Sequence, residues 1–128
     1  MRYETIAAFV IGILLPVLET CRRGFGHWTV SSMTMLEDYA AGGLLLFAAV
    51  LSTRGRRAAP LWLLAAWSAV SAMMATSFFY HLEETLRGEA NELNNTLVLA
   101  VKFLLLATCF TAVVLSFRRA REATLPAK

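Results

Sequence analysis

Along the chain, apolar residues come in long blocks and charges are confined to short clusters between them. The gaps between charged residues define four blocks: Thr5 to Leu18, Tyr39 to Thr53, Ala58 to Leu82, and Leu93 to Phe117, the last interrupted by Lys102. A helix needs roughly 20 mostly apolar residues to cross a bilayer, and the third and fourth blocks exceed that. The first two, at 14 and 15 residues, reach it only by drawing in acidic neighbours: Glu19 with Thr20 and Cys21, and Glu37 with Asp38. No block alternates with period two, as barrel strands of about 9–11 residues would. The pattern predicts an all-α fold, an integral membrane four-helix bundle forming one transmembrane domain over 1–128, with helices over about 4–21, 35–53, 59–84 and 94–118.

Composition agrees: 58% of residues are apolar and 16% charged, against about 45–50% and 25% in soluble domains. The basic residues set the orientation. Arg2, Arg54, Arg56, Arg57, Arg118, Arg119, Arg121 and Lys128 fall at one end of the predicted helices and Arg22, Arg23 and Arg87 at the other, eight against three. Basic residues are retained on the cytoplasmic side, so both termini are expected inside. The net charge of +3 then follows from topology and requires no nucleic-acid partner. The expected location is a multi-pass position in a bacterial-type inner or plasma membrane. The first block lacks the basic start and small-residue cleavage point of a secretory signal and is read as a mature helix.

Local signals refine the helices. Pro16 removes a backbone donor and should kink the first helix, loosening the carbonyl of Gly12. Arg22 to Thr34 reads as an interfacial loop with Trp28 at headgroup depth, capping the outer mouth of the bundle. Ala40 to Gly43 permit close approach of a neighbouring backbone, and Ala65, Ser68, Ala69, Ser71, Ala72 and Ala75 form small-residue faces read as packing within the chain. Glu83 and Arg87 are spaced to pair on a helical extension ending at Gly88, and Asn94 or Asn95 is placed to cap the fourth helix. Cys21 and Cys109 differ in depth by roughly 12 Å at the helical rise, too far for a disulfide, so free thiols are expected.

Depth also brings out a candidate site. Counted from the cytoplasmic ends, Glu19, Asp38 and Lys102 each lie roughly 21–23 Å up, on three different helices. Charges within spanning segments are costly and normally face the bundle and pair. Lys102 needs a carboxylate, for which Asp38 and Glu19 are the candidates. Glu37, about 100° around the helix from Asp38, is expected to point elsewhere. Arg22 and Arg23 stand just above and complete a layer whose formal charges cancel. Tyr80, His81 and Glu84, with His27 and Trp28 from the first loop, are read as a polar vestibule over this floor.

Such a layer suits the binding of a small polar or amphiphilic molecule or an ion. It serves equally as a neutral clamp that holds four helices in register. His81 and Glu84, with His27 or Asp38, are weak metal candidates, since no ligand motif of known spacing is present. A haem between the two histidines is less favoured because His27 falls in a Gly-flanked loop, and no cofactor is assigned. Met33, Met35, Met73 and Met74 suit either an apolar ligand pocket or irregular packing. No serine elbow, cysteine signature, phosphate loop or nucleic-acid patch supports nucleophilic catalysis, nucleotide binding or nucleic-acid binding.

The size, the four-helix layout and a carboxylate at Glu19 in the first helix resemble the small multidrug-resistance transporters. The resemblance is architectural. Glu19 lies near the outer end rather than mid-membrane, and the basic bias favours one orientation instead of dual insertion. The leading expectation is a non-enzymatic ligand-binding or accessory membrane protein whose ionic cluster engages a lipid, a quinone-like hydrophobic molecule or a membrane protein partner. The alternatives are a proton- or ion-coupled transporter working as a homodimer, and a metal-dependent membrane enzyme.

Overall fold

The computed structural model describes residues 1–29, 32–88 and 95–124, and it is all-α. Four long helices follow one another: α1 (Tyr3–Arg23), α2 (Ser32–Thr53), α3 (Ala59–Leu86) and α4 (Asn95–Thr124), with a short 3-10 turn, Phe25–Thr29, after α1. Each is long and apolar enough to cross a membrane, which suggests a multi-pass membrane protein. The outward surfaces agree. Ile6, Val10, Ile13 and Val17 on α1, and Phe103, Phe110, Val114 and Phe117 on α4, are exposed at helical spacings. Apolar stripes of this extent are rare on soluble monomers.

A tight connection joins α2 to α3. At the end of α2, the Gly55 N–H donates to the Ser52 carbonyl and the Arg56 N–H to that of Leu51, both at 3.1 Å, with Gly55 at φ 64°. This is a Schellman cap, which needs a left-handed residue that glycine supplies without a Cβ clash. Pro60 then sits in the first turn of α3, where its missing N–H has no intrahelical role. The far end of α3 matches its sequence pattern: Glu83 and Arg87 pair, and Gly88 adopts φ 73° just beyond the helix. Asn95 does not cap α4. It is the first residue of that helix, and its side-chain amide donates to Thr85 Oγ1 at 2.7 Å, tying α4 back to α3. Asn94 lies outside the described residues.

The helices pack in sequential order around the bundle, and among the described residues no Cα atom of α2 comes within 8 Å of one of α4, the two lying on one diagonal. The closest backbone approach joins α1 to α2. A Cβ added to Gly42 would lie 2.5 Å from the Gly12 carbonyl oxygen and 2.9 Å from Pro16 Cδ. Pro16 has no N–H to give to that carbonyl, so the group freed by the proline is covered by a glycine backbone, a contact that allows a weak Cα–H···O interaction.

The core is concentrated in the half of the bundle that carries both termini and the Gly55 turn. Ala8, Ile11, Leu45, Ala48, Leu63, Trp67, Val70, Cys109 and Ala112 are buried together there. The small residues of α3 divide. Ala66 and Ser71 are buried, whereas Ala65, Ser68, Ala69 and Ala72 are exposed and so do not pack within the chain as expected. Cys21 is exposed, Cys109 is buried, and both are free thiols.

Candidate functional site

Above this core, in the half opposite the termini, the two helical hairpins part around a cavity of about 670 Å³, within the usual size of small-molecule sites. The helix α1 lines it with Leu15, Leu18, Glu19 and Arg22, and α2 with Glu37 and Asp38. From α3 come Met73, Met74, Thr76, Ser77 and Tyr80, and from α4 Leu97, Val98, Val101, Lys102 and Leu105. The three ionisable residues of equal depth thus line one space, joined by Arg22 and Glu37.

Glu19 is buried and pairs with Arg22 one turn on, at 3.4 Å, while the Arg22 side chain is largely exposed. Lys102, half-buried, donates from Nζ to the Ser77 carbonyl at 3.4 Å across the α3–α4 seam. Asp38 is half-buried and Glu37 exposed. Contrary to the angular expectation, Glu37 lines the same cavity as Asp38, because the space is wide enough at this level to meet two adjacent side chains of α2. Beside the acids, Thr20 Oγ1 donates to the Pro16 carbonyl and the Tyr39 hydroxyl lies 2.7 Å from the same Thr20 oxygen. With the threonine proton already committed, the tyrosine is the donor.

The vestibule is only partly assembled. Tyr80 lines the cavity and is exposed, but His81 and Glu84 do not line it. His81 is buried on another face of α3, with Nδ1 3.7 Å from Glu84 Oε2 and, among the described residues, no hydrogen-bond partner for Nε2. The side chains of Arg23, His27 and Trp28 lie outside the described residues. No group of three His, Cys, Asp or Glu side chains able to hold a metal occurs among the described residues. Of the methionines considered as pocket lining, Met73 and Met74 take that place, Met35 is buried and Met33 is exposed.

A second polar cluster, at the end that carries the termini, was not singled out by the sequence pattern. Glu4 is 3% exposed, and its carboxylate pairs with Arg119 of α4 at 2.5 Å. The indole N–H of buried Trp67 donates to the Glu4 carbonyl at 3.1 Å, and Thr5 and Ser52 hydroxyls lie 2.9 Å apart. Four helices therefore meet here through polar contacts. Glu4 and Arg119 stand 115 positions apart in clusters that read as solvated flanks, and only the positive signal of a carboxylate in the first turn of an apolar helix distinguishes Glu4.

Compared with family models, with curated proteins and with solved structures, the chain matches none. The likeness to small multidrug-resistance transporters thus finds no support there.

Proposed function

We propose that this chain crosses the membrane four times with both termini on the cytoplasmic side, and that the cavity in its outer half binds an amphiphilic small molecule. It acts as a non-enzymatic ligand-binding or accessory protein. The observation that carries this reading is the cavity itself. Its wall joins Leu15, Met73, Met74 and Leu105 to Glu19, Asp38 and Lys102, and a mainly apolar pocket with a few convergent polar groups is the usual form of a small-molecule site. Ionisable groups at membrane depth normally mark such places. The orientation rests on the basic residues, eight at the end of the termini against three at the other.

Gentle purification followed by mass spectrometry of retained molecules tests the reading. The wild-type chain is expected to keep an amphiphile that Lys102→Met and Asp38→Asn lose. Unchanged retention and assembly in both variants would overturn it. Orientation is tested separately with a membrane-impermeant maleimide. Exposed Cys21 should label from outside the cell, and labelling only from the cytoplasmic side would reverse the assignment.

The exposed Ala65, Ser68, Ala69 and Ala72 face of α3 favours a second reading, a homodimeric ion-coupled transporter, since small-residue faces suit close helix pairing. In that case Glu19 and Asp38 become reachable from each side in turn. Lasting protection of both from carboxyl-reactive reagents applied inside would exclude it.

A further inference from the structure

Away from the cavity, the strongest unmatched charge lies in the turn between α2 and α3. Arg54, Arg56 and Arg57 stand there almost side by side, all exposed. Among the described residues none of them makes an ion pair or a side-chain hydrogen bond, and no Asp or Glu occurs in the sequence between Asp38 and Glu83. Of the acids at this end, Glu4 is taken by Arg119, and Glu122 is exposed on α4. The three arginines also stand at the N-terminus of α3, which has no side-chain cap and no acid in its first turn. The positive end of a helix dipole disfavours cations, so these guanidinium groups oppose both one another and the helix until an anion is bound. Their backbone is held in place: the Arg54 N–H donates to the Val50 carbonyl and that of Arg56 to the Leu51 carbonyl, each at 3.1 Å.

Toward the membrane from this turn, Phe47 of α2 and Trp62 of α3 are exposed and meet edge to face, with ring centroids 5.1 Å apart. Arg54 follows Phe47 by two helical turns and so lies on the same side of α2, roughly 10 Å nearer the end of the bundle. An exposed Trp in the first turn of a spanning helix sits at the level where acyl chains meet headgroups. Independently of the cavity, and resting only on the crossing of the membrane, we propose that this corner binds an anionic phospholipid. Its phosphate is held by Arg54, Arg56 and Arg57, and its acyl chains lie over Phe47 and Trp62. Two properties favour this over charge placed for orientation alone. Lysine meets the orientation rule equally well, yet every basic residue at this end among the described residues is arginine, whose planar fork gives paired N–H···O bonds to phosphate. The exposed aromatic pair beside the charges offers a surface to acyl chains, which a soluble anion does not use.

The test is native mass spectrometry of the intact chain in micelles doped with dioleoyl phosphatidylglycerol or dioleoyl phosphatidylcholine at equal concentration. A micelle has no inner and outer side, so a change in binding there cannot come from a change of orientation. The glycerol lipid is expected to bind in preference to the choline lipid. Each of Arg54→Gln, Arg56→Gln and Arg57→Gln should weaken it about fivefold, and the three together about a hundredfold, the worth of basic side chains at a membrane surface. Arg54→Lys, Arg56→Lys and Arg57→Lys together keep the charge without the fork, and should fall between the wild type and the triple Gln variant. Trp62→Ala should weaken the lipid, and inorganic phosphate at the same concentration should not displace it from the wild type. Arg118→Gln with Arg121→Gln, which removes two charges from α4 at the same end, should cost less than any one Gln change in the turn. Unfolding midpoints identify a variant that fails to fold, and for it the preference of the wild-type chain between the two lipids, with and without phosphate, decides. Equal binding of the two lipids, or as large a loss in the α4 variant as in the triple Gln variant, overturns the inference. Displacement by phosphate with no effect of Trp62→Ala overturns it in favour of a soluble anion. Each of these leaves the cavity reading standing, since none of these residues lines the cavity. Release of the chain from membranes by alkaline carbonate would instead refute the crossing itself, and this site with it.

Discussion

The two halves of this bundle use charge in opposite ways. At the end that carries the termini, Glu4 and Arg119 form a buried pair, backed by the Trp67 indole and the Thr5–Ser52 contact, directly against a core of alanine, leucine and tryptophan. In the other half, more charged groups are present and they line open space: Glu19, buried and paired with the exposed Arg22, together with Glu37, Asp38 and Lys102. A pair that is buried and in contact acts as a fastening, because removing one partner leaves the other charge uncompensated. Charges around a cavity leave the chain room to exchange its own contacts for those of a ligand. Charge inside an apolar bundle is therefore no single signal, and the packing around each group has to be read with it.

The largest effect that would break this contrast is at Arg119. Arg119→Met strands the Glu4 carboxylate in a site only 3% exposed, and a destabilisation of about 3–5 kcal/mol is expected. It is read from the unfolding midpoint in detergent. The double variant with Glu4→Gln should recover part of the loss, since no unpaired charge then remains. A loss below about 1 kcal/mol would show that the pair is a surface contact.

Next comes the seam between α1 and α2. Gly42→Ala places a Cβ 2.5 Å from the Gly12 carbonyl oxygen, with both partners on backbone that cannot move aside separately. Overpacking of this kind costs about 1–3 kcal/mol. Gly43→Ala is the control. A Cβ there meets nothing within 4 Å, so the change should be neutral or slightly stabilising through helix propensity. Equal effects at the two positions would refute the close approach. Smaller again is Trp67→Phe, which removes the indole donor to the Glu4 carbonyl, a loss of about 0.6–1.7 kcal/mol for one hydrogen bond between membrane helices.

These positions also show how far the sequence could be read. Hydropathy blocks located four helices because length and apolarity are properties of each segment alone. Equal depth placed Glu19, Asp38 and Lys102 on one level because helical rise is constant, and all three line the cavity. Rotation about each helix was less legible. His81 turns away from the space and Glu37 faces it, since the facing of a residue depends on which neighbour its helix packs against, and no periodicity reports that in a helix apolar on all sides. The Glu4–Arg119 pair was least legible of all. It joins the two ends of the chain, and only tertiary packing makes a flanking carboxylate a buried one.

The smallest effect on stability, and the one that sharpens the contrast most, is expected in the far half. Lys102 and Asp38 are each half-buried on the cavity wall, and their replacement by Met and Asn removes charge from a membrane-depth site whose ionisable groups are intrinsically costly. If the cavity binds a ligand as proposed, the unfolding midpoint of Lys102→Met should lie within about 1 kcal/mol of the wild type, because charges that are only half-buried beside open space are met by solvent when a neighbour is removed. The same variant should lose its retained amphiphile. Stability held and binding lost would separate the two halves by role. A destabilisation as large as that of Arg119→Met, with no change in bound molecules, would make the far cluster a second fastening like the first, and the cavity a gap between two clamps.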